Sequence, residues 1–218
     1  GSSMLCLISL FNPPRDKVND GITECLDAGI GVRMVTSHET DNALATAMNV
    51  DLISMEEYVE ATKQLKEIKG KINELSEIKD AKSLPQPICL TGKDFTLLTG
   101  GMTKDDDVKD ESGLSYPIRH LNNPKRFKRI VKRLKVITEA STEDKLLLVF
   151  GLQQIGKIVG VTGKSSLDEK IFRYSNLGIA LGVSGKEMTK EASDLILLDD
   201  SFNALVSALK YGRNINSS

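Results

Sequence analysis

The chain has 218 residues, of which 40% are hydrophobic and 27% charged, and its formal net charge is −1. These values are ordinary for a globular α/β domain, and the near-zero charge gives no electrostatic reason to expect binding to nucleic acid or to an anionic membrane. No apolar run approaches the roughly 20 residues that cross a bilayer, and three widely spaced cysteines (Cys6, Cys25 and Cys89) exclude a disulfide framework or a cysteine metal cluster.

Short β-branched runs alternate with amphipathic stretches along the chain, a pattern typical of a parallel sheet covered by helices. Residues 1–3 precede Met4 and are interpreted as a cloning remnant outside the fold. We expect strands at 5–10, 32–36, 87–92, 135–138, 157–162, 177–181 and 194–199. Between them the sequence predicts helices at 16–29, 38–50, 142–154 and 202–215.

Residues 55–80 are highly charged, with apolar side chains at spacings of three and four, which predicts a helix with one narrow apolar seam. One interpretation is a short coiled coil or a partner-binding helix. A surface helix packed on its own domain is the favoured interpretation, because the repeat is short and Gly70 interrupts it.

Two other segments are strongly charged. Residues 100–117 are rich in Gly and Asp and predict a solvated acidic loop, because their spacing lacks the ligand pattern of an EF-hand. Residues 125–135 predict a basic amphipathic helix, which could bind an acidic membrane or a calmodulin-like partner. We expect instead that its basic face meets water. Its inward residues are expected to be Phe127, Ile130, Val131 and Leu134.

Two of the predicted strands end in Val-Thr followed by small or polar residues, at Thr36 and Thr162. The carboxyl ends of parallel strands share the edge where open α/β folds bind ligands. A Thr hydroxyl and free N–H groups in the following turn are suitable phosphate donors. Lys145 is poorly placed for the dipole of its helix, but it would suit a cation at a transferring phosphoryl group. A solvent-exposed lysine is the alternative.

The order of these segments resembles the phosphorylation domain of the P-type cation-transporting ATPases, which has a haloacid-dehalogenase-like α/β fold. The likeness is carried by LISLFNPPRDKVNDGITECLDAGIGVRMVT, TGKDF, ITEASTEDKLLLV, IVGVTG and LGIALGVSGKEMTKEASDLILLDDSFNALVSALKYGRN. In the last of these, KEASD, LLDD and GRN are most similar to calcium pumps of the plasma-membrane type.

The resemblance implies that residues 4–212 are the C-terminal part of this domain, with a helical insertion at 54–84 and the acidic loop at 100–117. Residues 213–218 would begin a stalk helix. The implied sheet is parallel and Rossmannoid, and it lacks the strand ending in DKTGT, a motif that this sequence does not contain. The strands ending at Thr36 and Thr162 should therefore have unpaired edges. We expect another segment or a partner chain to fill the gap.

Carried over position by position, the resemblance implies phosphate contacts from five residues and a metal contact from Asp168. The phosphate-binding residues are Thr36, Ser37, Lys145, Thr162 and Gly163.

This sequence departs from the family pattern mainly on the metal side. His38 replaces the Asp of TGD, Asn12 replaces the Asp of DPPR, and Leu167 replaces an Asn. Most severely, Lys164 stands where the family has its magnesium-binding Asp. Lysine has donors only and cannot replace a carboxylate as a ligand, but its ammonium could occupy the position of the metal.

The implied function is a phosphorylation domain on the cytosolic face of a cation pump, with calcium as the expected ion. ATP and Mg²⁺ are the cofactors of that family, and Lys164 argues against Mg²⁺ here. The implied partners are nucleotide-binding, actuator and transmembrane domains and a strand or helix for the incomplete sheet, with no nucleic acid. This chain alone should be inactive, since the DKTGT aspartate is absent.

Two other functions were weighed against a pump. The alternative is a catalytically inactive pseudo-ATPase domain with a regulatory or scaffold role. A soluble phosphatase of the same superfamily would need an N-terminal Asp-x-Asp motif at a strand end, which the sequence does not offer.

Overall fold

A computed structural model describes residues 13–78, 80–109 and 115–216. Within these residues, helices flank two parallel sheets, and the expected α/β fold class is confirmed. The helices are α1 (Val18–Asp27), α2 (Thr40–Asn49), α3 (Met55–Glu77), α4 (Gly92–Thr99), α5 (Pro124–Ile130), α6 (Thr142–Gln154), α7 (Ser166–Tyr174), α8 (Glu187–Glu191) and α9 (Phe202–Asn216). The strands are β1 (Met34–Val35), β2 (Cys89–Thr91), β3 (Met102–Lys109), β4 (Ser115–Leu121), β5 (Val136–Thr138), β6 (Gly160–Gly163), β7 (Leu177–Leu181) and β8 (Leu195–Leu197). The strand expected at 5–10 and the position of Asn12 lie outside the described residues.

The first parallel sheet has the order β1-β5-β2, and its register pairs Met34 with Val136 and Cys89 with Val136. Every residue of β5 and β2 is buried, as expected for strands covered by helices on both faces. Two apolar clusters cover the faces. Their largest fully buried members include Phe95, Phe127, Leu44 and Ile53.

The second parallel sheet has the order β6-β7-β8, with Thr162 opposite Ile179 and Ala180 opposite Ile196. Its central strand β7 is buried over its middle three residues, whereas the edge strand β6 alternates between exposed and half-buried residues. Among the strands of the described residues, none joins β1 to β6. Within the described residues the edges expected to be unpaired have no further strand beside them, and the expectation that another segment fills the gap is not met by any described strand.

Helices α1 and α9 pack along each other although they lie near opposite ends of the chain. Gly21 allows this close approach, because a Cβ there would come within 2.5 Å of the Phe202 ring. Lys210 forms an ion pair with Glu24 at 2.7 Å, and Arg213 donates to the carbonyl of Ala28 at 3.1 Å. The two helices thus form one pair beside the second sheet.

The charged segment predicted to be a helix at 55–80 forms α3, which begins with a capping box at Ser54. Its seam residues Ala61, Leu65 and Ile68 are buried in the two clusters that cover the first sheet. The surface-helix interpretation is therefore supported over a free coiled coil. The backbone departs from helical geometry at Lys71, next to the Gly70 that we expected to interrupt the helix.

The segment expected to be an acidic loop is different in the structure. Strands β3 and β4 pair there as an antiparallel hairpin, with Met102 opposite Leu121. The loop prediction was wrong. Gly and Asp have low β propensity, so the composition of this segment did not indicate the two strands that pair there.

The basic face of α5 also differs from expectation. Phe127, Ile130, Val131 and Leu134 are buried as predicted, but the side chain of Arg126 is buried with them. Its guanidinium donates to the carbonyls of Leu98, Leu75, Ser76 and Ile78 at 2.8–3.2 Å. The carbonyls at 75–78 belong to the C-terminal end of α3, where helical backbone leaves acceptors without partners.

Gly151 in α6 is expected to tolerate no side chain. A Cβ at this position would come within 2.2 Å of the buried Phe127 ring, and overpacking of a close-packed core typically costs about 1–3 kcal/mol. Gly151→Ala should therefore lower the free energy of unfolding by about 1–2 kcal/mol after the gain in helix propensity, measured by urea denaturation. Gly70→Ala is the control, because nothing lies within 4 Å of its Cβ position. A Gly151→Ala protein as stable as the control would contradict this packing.

Candidate active site

The end of strand β6 forms a tight corner leading into helix α7. Gly163 lies directly against the Asp168 side chain, since a Cβ on Gly163 would come within 2.6 Å of the Asp168 Cβ. The corner is closed by a capping box at Ser165 and Asp168, in which the Asp168 carboxylate accepts from the Ser165 backbone N–H and the Asp168 N–H donates to the Ser165 carbonyl. A side chain at position 163 would thus displace Asp168 from the corner.

The Asp168 carboxylate is buried and accepts hydrogen bonds from four donors. Oδ2 accepts from the backbone N–H of Lys164 at 3.1 Å and from the backbone N–H and hydroxyl of Ser165, both at 3.0 Å. Oδ1 accepts from Nζ of Lys145 at 3.0 Å. The turn N–H groups that we expected to be free for phosphate are thus used by Asp168 at positions 164 and 165.

The pKa of Asp168 is lowered by these contacts. Burial alone would raise the pKa, but the hydrogen bonds from the Ser165 backbone, the Lys145 ammonium and the Ser165 hydroxyl, together with the Lys145 charge, outweigh burial and favour the carboxylate. Asp168 therefore remains ionised and paired at neutral pH.

Lys145 reaches Asp168 from the first turns of α6, where Ser141 and Asp144 form another capping box. The Lys145 side chain is 28% exposed, and Lys145 is partnered by Asp168 rather than free in solvent. An ammonium has three donors, so this ion pair leaves N–H groups for a second acceptor at the same place.

Thr36 lies at the carboxyl end of β1 in the first sheet. Its carbonyl accepts from Ala140 N at 2.9 Å, and its hydroxyl accepts from His38 N at 3.1 Å. Ser37 and His38 are exposed in the turn. The structure brings Lys145, Gly163 and Asp168 together, but no hydrogen bond or ion pair among the described residues joins Thr36 or Ser37 to them.

A groove of about 450 Å³ lies at the carboxyl end of the second sheet. It is lined by Thr162 of β6 and by Lys164 directly after that strand. Leu181 and Leu197 line it from the ends of the other two strands, and Arg15 lines it from before α1. Thr162 and Lys164 are both exposed. Because alternate residues of a strand face opposite sides of the sheet, Thr162 and Lys164 share this face, whereas Gly163 packs against Asp168 on the other.

Arg15 and Asp200 were not predicted as site residues, although DPPR-like and LLDD segments contain them. Arg15 donates to the Asp200 carbonyl at 2.9 Å and to Oδ2 at 3.2 Å. The same carboxylate accepts from the N–H groups of Val183 and Ser184, both at 2.9 Å. Burial would raise the pKa of Asp200, but the donors from Ser184 and Val183 and the Arg15 charge lower it. The pair fixes the wall of the groove.

The described residues do not fit a magnesium ion at the end of β6. Mg²⁺ requires oxygen ligands in near-octahedral geometry, whereas Lys164 offers only donors and both oxygens of Asp168 accept hydrogen bonds from protein donors. Within residues 13–78, 80–109 and 115–216 there is no group of three or more His, Cys, Asp or Glu side chains that could hold a metal. Leu167, at the position of the family's Asn, is 65% exposed and adds no ligand.

Across the described part of the chain, every helix is too short or too polar to span a bilayer.

Comparison with individual known proteins assigns the chain to a family. No protein-family model matches it. The sodium/potassium-transporting ATPase subunit alpha-4 of Rattus norvegicus is 32% identical over 210 residues, which cover 96% of this chain and 18% of that protein. The corresponding subunit alpha-B of Artemia franciscana is 32% identical over 214 residues, with the same coverage of 96% and 18%.

A calcium pump is similar at a comparable level. Calcium-transporting ATPase 8, plasma membrane-type, of Arabidopsis thaliana is 27% identical over 212 residues, covering 97% of this chain and 15% of that protein. The chain thus spans less than a fifth of the length of these relatives. Because the likeness extends over nearly the whole chain and the structure has the expected α/β fold, the chain belongs to the P-type cation-transporting ATPase family and corresponds to a segment of these proteins.

Proposed function

We propose that this chain is the C-terminal part of a phosphorylation domain that couples ATP hydrolysis to cation transport. The observation that carries the proposal is the position of Lys145, Thr162 and Gly163 beside the edge of β6 that no described strand pairs with. The resemblance assigns phosphate contacts to these three residues. A strand paired along β6 would end next to them, because parallel strands place their carboxyl ends at one edge.

Such a strand must come from outside the described residues, and the proposed partners are the other domains of a longer pump. The relatives are more than five times as long as this chain, and a parent protein of that length would have room for nucleotide-binding, actuator and transmembrane domains. The phosphorylated aspartate would lie on the added strand, and this chain would supply the cation and hydroxyl groups around it. We place the domain at the cytosolic face of the membrane.

We further propose calcium as the transported ion. The support is the similarity of KEASD, LLDD and GRN to calcium pumps of the plasma-membrane type. The comparisons include sodium/potassium pumps at 32% identity and a calcium pump at 27%. They support a cation pump and do not distinguish calcium from other cations.

A catalytically inactive pseudo-ATPase domain is the second candidate, and one observation favours it. Lys164 faces the groove where a magnesium-binding carboxylate is expected, and Asp168 is bonded to Lys145 and its own turn. A domain built in this way would keep the fold and could serve as a regulatory or scaffold module.

Phosphoenzyme formation by the full-length parent protein separates the two candidates. With radiolabelled ATP, a pump should form a calcium-dependent, hydroxylamine-sensitive acyl phosphate, and Lys145→Met should reduce its level by tenfold or more, because a charge-assisted hydrogen bond is worth roughly 1.5–3 kcal/mol. Lys157→Met is the control, because Lys157 is exposed and lies before the amino end of β6; it should leave the level unchanged. A parent protein that forms no acyl phosphate would exclude the pump and leave the pseudo-ATPase.

A further inference from the structure

We propose that the groove at the carboxyl end of the second sheet binds a phosphate oxyanion through Lys164, without a divalent cation. The inference deepens the proposed function and rests on it in placing a phosphate at the end of β6. The inference differs from the proposed function in the source of the positive charge, which is Lys164 and not a metal ion.

The first step is the charge of the groove. Its charged lining consists of Arg15, Lys164 and Asp200. The Asp200 side chain is only 3% exposed and is already satisfied by two backbone N–H groups and by Arg15. Lys164 is exposed, and no ion pair is formed by it within the described residues. Among the described residues the groove therefore has one uncompensated positive charge, which attracts an anion and repels a metal ion.

The second step is the set of available donors. The Thr162 hydroxyl lies on the same face of β6 as the Lys164 ammonium, which has three N–H groups. Arg15 uses two guanidinium N–H groups on Asp200 and retains others, and its side chain is 53% exposed. A hydroxyl, an ammonium and a guanidinium around one groove match the several oxygen acceptors of a phosphate.

The third step is the position of the groove in the fold. Leu181 and Leu197 end β7 and β8 at its floor, so the groove lies outside the carboxyl ends of parallel strands. Open α/β sheets bind their ligands at this edge. A charge-assisted contact from Lys164 would occupy the place that a metal ion takes when a carboxylate stands at this position.

The test is a titration of the chain with inorganic phosphate, followed by amide chemical shifts and calorimetry, in excess EDTA and in excess Mg²⁺. We expect saturable shifts at 162–165 and the same affinity in both buffers. Lys164→Met should weaken binding roughly tenfold or more, whereas Lys164→Arg should retain it. Lys157→Met is the matched control, since Lys157 is exposed and lies before the amino end of β6; it should bind like the wild type.

A second probe, phenyl phosphate, distinguishes a free ion from a phosphoryl group on a larger molecule. Tighter binding of the ester would assign the groove to an esterified phosphoryl group, because Phe202 and Leu197 give it an apolar wall. Equal binding would assign it to free phosphate. Either result supports the oxyanion site.

Three results would overturn the inference: binding that requires Mg²⁺, binding that Lys164→Met leaves unchanged, or no saturable shift at 162–165. Binding that requires Mg²⁺ would remove the inference and leave the proposed pump intact. Conversely, magnesium-independent binding in a chain whose parent forms no phosphoenzyme would remove the pump and leave the oxyanion site.

Discussion

Replacement of Asp168 by alanine is expected to lower the free energy of unfolding by about 3 kcal/mol, as breaking a buried ion pair by removing one partner typically costs 3–5 kcal/mol. The partly exposed Lys145 places the value at the lower end, because its ammonium can regain water. The substitution also leaves the N–H groups of Lys164 and Ser165 without their acceptor. Urea denaturation of the purified chain measures the change.

Two further variants show whether the charge or only the shape of Asp168 matters. Asp168→Asn keeps an acceptor for the turn but loses the charge opposite Lys145, so its stability should lie between the wild type and Asp168→Ala. Glu169→Gln is the neighbouring control, since Glu169 pairs with Arg173 on the surface of the same helix, and exposed pairs contribute at most about 1 kcal/mol. Equal stability of Asp168→Ala and Glu169→Gln would refute the structural role.

The contribution of Asp168 to the free energy of unfolding should decrease when the solution is acidified. Its pKa is lowered in the folded state, so the carboxylate stabilises the fold fully above the unfolded-state pKa of about 3.9. The stabilisation is lost as the pH falls through the lower, folded-state pKa. The difference in unfolding free energy between the wild type and Asp168→Ala should therefore be constant near neutral pH and shrink below about pH 4. A difference that grows on acidification would show that the pKa is raised instead.

Replacement of Arg126 by methionine is expected to lower the free energy of unfolding by about 3 kcal/mol. The guanidinium satisfies four carbonyls, three of them at the end of α3, and each buried polar group left unpaired costs about 1–3 kcal/mol. Some of those carbonyls are only partly buried and can bind water. The expected loss in unfolding free energy is therefore close to that of one or two unpaired carbonyls. Methionine retains the apolar packing of the stem, so the loss reports the hydrogen bonds.

The matched control for Arg126 is Lys125→Met, one residue away on the exposed face of α5. Exposed substitutions of this kind usually change stability by less than about 0.5 kcal/mol. Hydrogen exchange should locate the effect of Arg126→Met in residues 72–78, where α3 ends. If exchange there is unchanged, Arg126 does not hold the end of α3 against α5.

The periodic segments of the fold could be predicted from sequence, and the reason is local. Helix α6 over Thr142–Gln154 and strand β7 over Leu177–Leu181 have the predicted bounds, because their apolar runs are bounded by clear stop signals. The hairpin at β3 and β4 was missed, since its pairing depends on contacts between two polar strands rather than on a pattern in either one.

The candidate site could be predicted only in part. The types and positions of Lys145, Thr162 and Lys164 predict a phosphate corner without a metal ligand, because the chemistry available to a site depends on its residue types. The interaction partners of those residues could not be predicted. Nothing in the sequence places Lys145 against Asp168, or Arg15 against Asp200, which are 23 and 185 positions apart.

The pairing of α1 with α9 has a consequence for the order in which the chain can fold. A ribosome releases Gly21 and Glu24 long before it has made Phe202 and Lys210, the residues that contact them. Until then the face of α1 that receives α9 is uncovered, and Arg15 lacks its carboxylate. Contacts of such high sequence separation form late and slow the folding of a domain. Newly made chains should therefore remain sensitive to proteases near α1 until synthesis has passed α9, and a chain shortened to residue 199 should keep that sensitivity permanently.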